Sequence, residues 1–226
     1  MTQLQNTLNS SDYHAAVLQT ESKPGELNFG PATLLMALNL AVSAANALDQ
    51  VKRAIYYGRD IDQEKAMEAI QAVQGTASAL AFPVATKRYR DPRDVDFFAQ
   101  NLSPEAAKSL SPANVDPRLL HAALGKFTEA GEFIEAILPT LMGAAVDKVN
   151  VLEELGDGSW YDEIALDALG YSREQCNFVN IKKLQDKKAG RYQKGAFDPN
   201  AAVERDVDAE RALLDAGAQK AVLVAA

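Results

Sequence analysis

A single cysteine, Cys176, leaves no partner for an internal disulfide and fits a reducing compartment. Histidine is almost as scarce, and His14, with no second His or Cys near it, reads as a surface residue. Cations are in the minority, 23 against 31 acids, for a formal net charge of −8. That deficit counts against duplex nucleic acid and anionic membrane surfaces as partners. No stretch of 18 residues is apolar throughout, and no charged-then-apolar leader opens the chain. The expectation is a cytoplasmic protein with no membrane partner. Alternating β-branched residues are also rare while alanine is abundant, which points to an all-α fold. The remainder is ordinary: 226 residues, 47% hydrophobic and 24% charged, enough for one sizeable or two small globular domains.

Against this background two acidic groups stand out. One is Glu129-Ala130-Gly131-Glu132, the other Glu153-Glu154-Leu155-Gly156-Asp157. Both read as helical, and residues three apart share a helix face. Packed antiparallel, the two helices bring Glu129, Glu132, Glu154 and Asp157 together. Acidic pairs at this spacing most often form a solvated face. Here each pair is embedded in apolar sequence, with Phe127, Phe133 and Ile134 around the first and Val151, Leu152 and Trp160 around the second. Gly131 and Gly156 between the carboxylates suggest close helix approach, since glycine costs about 1 kcal/mol inside a helix. Four carboxylates in a groove need a cation, and all-oxygen ligation suits Mg²⁺ or Mn²⁺.

The ordered set Leu124-Gly125, Thr128-Glu129-Ala130-Gly131-Glu132, Glu153-Glu154-Leu155-Gly156-Asp157 and Trp160-Tyr161 resembles the MazG-like all-α nucleoside triphosphate pyrophosphohydrolases. The resemblance continues through Asn180-Ile181-Lys182-Lys183-Leu184, Arg191-Tyr192 and Arg205-Asp206, and covers roughly residues 118–216. It implies a helical bundle that cuts nucleoside triphosphates between the α and β phosphates. Glu129, Glu132, Glu154 and Asp157 would be the metal ligands, with Glu153 or Glu135 holding a further ion or orienting water. By the same resemblance Asn180 and Lys183 face substrate, and Arg191 and Tyr192 lie near the phosphates or sugar. Trp160 and Tyr161 fit either core packing or stacking on a base. A non-catalytic nucleotide-binding or interaction module of the same fold is the alternative.

The chain also carries a weak internal repeat. Leu35–Ile70 lies on Leu120–Leu155 at a nearly constant offset, pairing Asp62 with Asp147 and Glu68 with Glu153. In that alignment Ser43, Asn46, Ala69 and Ala72 stand where the second copy has Glu129, Glu132, Glu154 and Asp157. The first copy is therefore expected to keep the hairpin and lose the metal chemistry. The expected organisation is a degenerate half over 1–90, a proline-rich connector over 91–117 and a catalytic half over 118–226. Helices are expected over 32–55, from Asp62 to Leu80, from Pro117 towards Pro139, and from Asp147 to Leu169. The capping box Ser172–Gln175 opens another to about Lys188, and a last one covers 201–216. Lys52, Arg53, Tyr56, Tyr57 and Arg59 end the first hairpin's leading helix. Arg53 and Tyr56 are the expected substrate contacts from that half. Related enzymes assemble from several hairpins, so a homo-oligomer of fused pairs is expected, with one active site per chain.

Overall fold

The computed structural model describes residues 9–22, 27–96, 102–186, 192–193, 196–198, 200 and 206–224. Arg191 and Arg205 lie outside them, as do Lys187 and Lys188, and of Tyr192 only the backbone is described. The fold is all-α. Among the described residues its α-helices are α1 (Ser10–Thr20), α2 (Pro31–Tyr57), α3 (Gln63–Ala85), α4 (Pro104–Ser109), α5 (Pro117–Ile137), α6 (Lys148–Leu169), α7 (Arg173–Leu184) and α8 (Val207–Val224). A two-residue antiparallel ladder pairs Tyr192 with Phe197 and Gln193 with Ala196.

The chain divides into two compact units, but not at the expected boundary. Gly25–Asp116 form one, and Met1–Pro24 join Pro117–Ala226 in the other. Residues 1–24 therefore belong with the acidic half, because α1 packs on α6. Val17 is buried with Ala122 and Ile164, and Tyr13, Trp160 and Tyr161 pack against them.

The expected connector is likewise part of a unit. Val95, Leu102 and Leu110 close over Ala32 and Met36 at the start of α2. Asp94, fully buried, accepts from the Ala32 N–H at 3.0 Å and from the Thr33 N–H at 2.7 Å. Those donors open α2 and have no partner inside the helix. Gly30 is required beside it, since a Cβ there would stand 2.2 Å from Asp94 Oδ2. Asp94→Ala leaves two buried donors unpaired. Loss of about 2 kcal/mol is expected, measured by denaturant unfolding of the whole chain. An unchanged midpoint would show that water replaces the cap.

Several helix ends differ from expectation. The third helix runs through Pro83 to Ala85 rather than stopping at Leu80. Pro83 sits in its last turn with its ring buried, so the missing N–H costs little helix. The α7 helix stops at Leu184, short of Lys188, and α8 runs on past 216 to Val224, while the expected helical residues 201–205 lie outside the described residues. Gly58, Gly143 and Gly170 end their segments in the left-handed region, at φ 62°, 87° and 72°, as C-terminal glycines do.

No stretch is apolar throughout, yet α2 is long and apolar enough to cross a membrane by length and composition. Its 18-residue window has mean hydropathy 1.4, because Asn, Ser and Thr dilute the apolar residues without adding charge.

Candidate metal centre

The second unit is built on the hairpin of α5 and α6, joined by a short 3-10 segment, Leu138–Met142. Asp147 opens α6 by accepting from the Val149 and Asn150 N–H groups, both at 3.1 Å. The register is antiparallel: Gly125 lies against Tyr161, Lys126 pairs with Asp162, and Glu129 meets Glu154 and Asp157. Glu129 is thus opposed by two acids from the next helix, as the spacing of the two motifs requires.

Oxygens of Glu129, Glu154 and Asp157 lie within 4.8 Å of one another. Two ligands on opposite sides of one Mg²⁺, each at about 2.1 Å, would stand about 4.2 Å apart. Glu154 is 7% exposed, and its Oε2 is buried without a hydrogen-bond partner. A buried carboxylate oxygen with no donor is costly, and a bound cation is one group that would satisfy it. Asp157 is exposed and Glu129 half-buried, so the cluster opens outward. The residues present fit a hard divalent cation.

Electrostatics agree with the geometry. Burial raises the Glu129 carboxyl above its ordinary range, and the charge of Glu132, a side-chain hydrogen bond with Glu154 and the charges of Asp157 and Glu154 raise it further. Glu132 is exposed, one turn beyond Glu129, and outside the three-carboxylate group. The Tyr161 phenol is also raised, by burial first and then by Glu129, Asp157 and Glu132. Its ring lies under the cluster, edge-on to Trp160 at 5.0 Å and to His121 at 5.4 Å. Trp160 is anchored elsewhere, donating its indole N–H to Thr20 at 3.0 Å. Both aromatics therefore serve packing.

The close approach falls at a different glycine from those expected. A Cβ at Gly131 or Gly156 would meet nothing within 4 Å, because both face away from the opposite helix. At Gly125 a Cβ would stand 2.1 Å from the Tyr161 ring. Gly125→Ala should displace that ring and destabilise the chain by about 1–3 kcal/mol. Gly131→Ala should stabilise it by about 0.5–1 kcal/mol through helix propensity. Thermal unfolding of the two variants checks the contrast, and equal shifts would contradict it.

An ionic chain invisible in the sequence holds this hairpin to α1 and α7. Arg118 takes Glu21 in a two-pronged pair at 2.6 and 2.9 Å and reaches Asp167 at 2.7 Å. His14 is not a free surface residue: its ring nitrogens face Glu163 at 2.8 Å and Asp167 at 3.4 Å. Arg173 meets Glu163 at 2.7 Å and Asp162 at 3.2 Å. Tyr13 donates to the Gly156 carbonyl at 3.3 Å, fixing the turn of α6 between Glu154 and Asp157.

Of the other expected site residues, Glu153 and Glu135 are not part of the three-carboxylate group. Both are exposed. Asn180 lines an apolar groove with Leu166, Leu169 and Leu214, and Lys183 is in the last turn of α7. Arg53 donates its Nε–H to Asp49 at 2.6 Å within α2, and Tyr56 is 73% exposed. No protein-family model, no curated protein and no solved structure matches the chain.

Proposed function

We propose that the protein is a Mg²⁺-dependent hydrolase of nucleoside triphosphates, cutting between the α and β phosphates to give nucleoside monophosphate and pyrophosphate. Mn²⁺ would serve in place of Mg²⁺. The observation that carries this is Glu154, which has a buried, unpartnered carboxylate oxygen and brings a carboxylate oxygen within 4.8 Å of those of Glu129 and Asp157. The resemblance of the two acidic motifs to MazG-like enzymes supplies the substrate class. Glu129, Glu154 and Asp157 would hold the ion, and Glu132 would complete the set from the next turn. A bound divalent cation would neutralise phosphate oxygens and position the attacking water. Asn180, Lys183, Arg191 and Tyr192 keep the substrate roles that the resemblance implies.

The reading also makes the α2–α3 and α5–α6 hairpins two versions of one scaffold. It is supported by the cleft between α2 and α3, which is lined by all four aligned positions, Ser43, Asn46, Ala69 and Ala72. Each chain then has one active site, and we place the protein in the cytoplasm. Exposed apolar residues favour assembly with further copies: Leu141 at 84%, Met142 at 85%, Val149 at 79% and Leu152 at 70%. The same surface favours the second reading, a non-catalytic interaction module of this fold. Incubation with a panel of ribo- and deoxyribonucleoside triphosphates plus Mg²⁺ separates the two. Pyrophosphate release supports the enzyme, and its absence across the panel leaves the module.

A further inference from the structure

We propose that the cleft between α2 and α3 is a second ligand site, which takes a nucleoside, free or as part of its 5′-monophosphate, without a metal ion. The proposal rests on the reading that the two hairpins share one scaffold and that the chain handles nucleotides. The cleft encloses about 410 Å³, within the range of roughly 300–1,000 Å³ common for small-molecule sites. A hairpin that had only lost its chemistry would be filled by larger apolar side chains, as helix interfaces are. Here two of the four aligned positions are alanines that leave a floor, and the other two, Ser43 and Asn46, are polar.

The charges around the cleft are balanced. Asp49 is held between Lys52 at 2.5 Å and Arg53 at 2.6 Å, and these contacts, Lys52 foremost, keep its carboxyl below the ordinary range. Lys65 pairs with Asp62 at 3.0 Å. Asp49 is therefore not a spare ligand for a cation, and the two lining cations, Arg53 and Lys65, are each engaged by an acid. Beside these pairs the cleft carries the Glu68 carboxylate, which further disfavours a polyphosphate, and between them it presents the Ser43 hydroxyl and the amides of Asn46 and Gln50. Among the described residues, none makes a hydrogen bond with these three side chains. A hydroxyl and two amides both donate and accept, which suits base edges and sugar hydroxyls rather than a polyphosphate. The monophosphate is also the product of the proposed reaction.

Calorimetric titration of the full chain in excess EDTA tests this, with the common nucleosides and their 5′-monophosphates as probes. The expected result is one site per chain for at least one base. Its Kd should rise at least tenfold in Asn46→Leu and in Ala72→Leu and stay unchanged in Glu154→Gln. The milder Ser43→Ala/Asn46→Ala pair gives the same reading if a leucine variant fails to fold. Equal affinity for nucleoside and monophosphate places recognition on base and sugar, whereas binding of monophosphates alone would overturn the nucleoside assignment. No binding by any probe in EDTA, or binding lost in Glu154→Gln and kept in the cleft variants, would overturn the site. Failure of pyrophosphate release is read in a separate assay with metal and bears on the α5–α6 reading alone.

Discussion

Glu154→Gln should lower turnover by roughly 10³-fold or more, beyond the 10–100-fold that an outer-shell residue typically costs. It should do so without loss of helicity. Glu154 is 7% exposed, sits among like charges, and has an oxygen with no donor. Neutralising it removes a charge that the metal-free protein accommodates poorly. Unfolding temperature without metal should therefore hold or rise, and stabilisation by Mn²⁺ should vanish. A purely structural role for Glu154 predicts the opposite, a less stable variant that still responds to metal. Asp157→Asn should follow Glu154→Gln in activity, with a smaller stability effect because Asp157 is exposed.

Saturating Mg²⁺ or Mn²⁺ should stabilise the chain strongly and in a pH-dependent way. At one hundred times Kd the gain is about 2.7 kcal/mol. The sign follows from Glu129, whose carboxyl titrates above its ordinary range because of burial and its acidic neighbours. In the folded, metal-free protein it holds its proton to higher pH than in the unfolded chain. Its contribution to stability is thus greatest at low pH and is lost as pH rises through the raised value. Metal must displace that proton, so affinity should climb with pH through the same interval and level off above it. Thermal unfolding at several pH values with Mn²⁺ or EDTA checks this. Stabilisation that weakens with rising pH would contradict it.

The all-α fold was legible because alanine-rich, amphipathic segments and strong caps mark helices locally. Asp62, Asp147 and the Ser172–Gln175 box each open the helix they announce. The three carboxylates were legible because i, i+3 spacing on two helices needs only antiparallel pairing to converge. What sequence reading missed is non-local. Asp94 caps a helix that starts more than sixty residues before it. Glu21 and His14 meet Arg118 and Glu163 from the far end of the chain, which moved α1 into the other unit. The proline-rich stretch suggested a connector because proline breaks helices, whereas Val95 and Leu110 bury against α2. Gly125 was indistinguishable from Gly131 without knowing which face meets Tyr161.

Product analysis tests the central claim most directly. The purified chain and its Glu154→Gln variant are incubated with each nucleoside triphosphate and Mg²⁺, and the nucleotide and phosphate products are quantified. The account predicts equimolar nucleoside monophosphate and pyrophosphate from at least one triphosphate, abolished by EDTA and by Glu154→Gln. Nucleoside diphosphate with orthophosphate, product that persists in the variant, or no product from any triphosphate would contradict it.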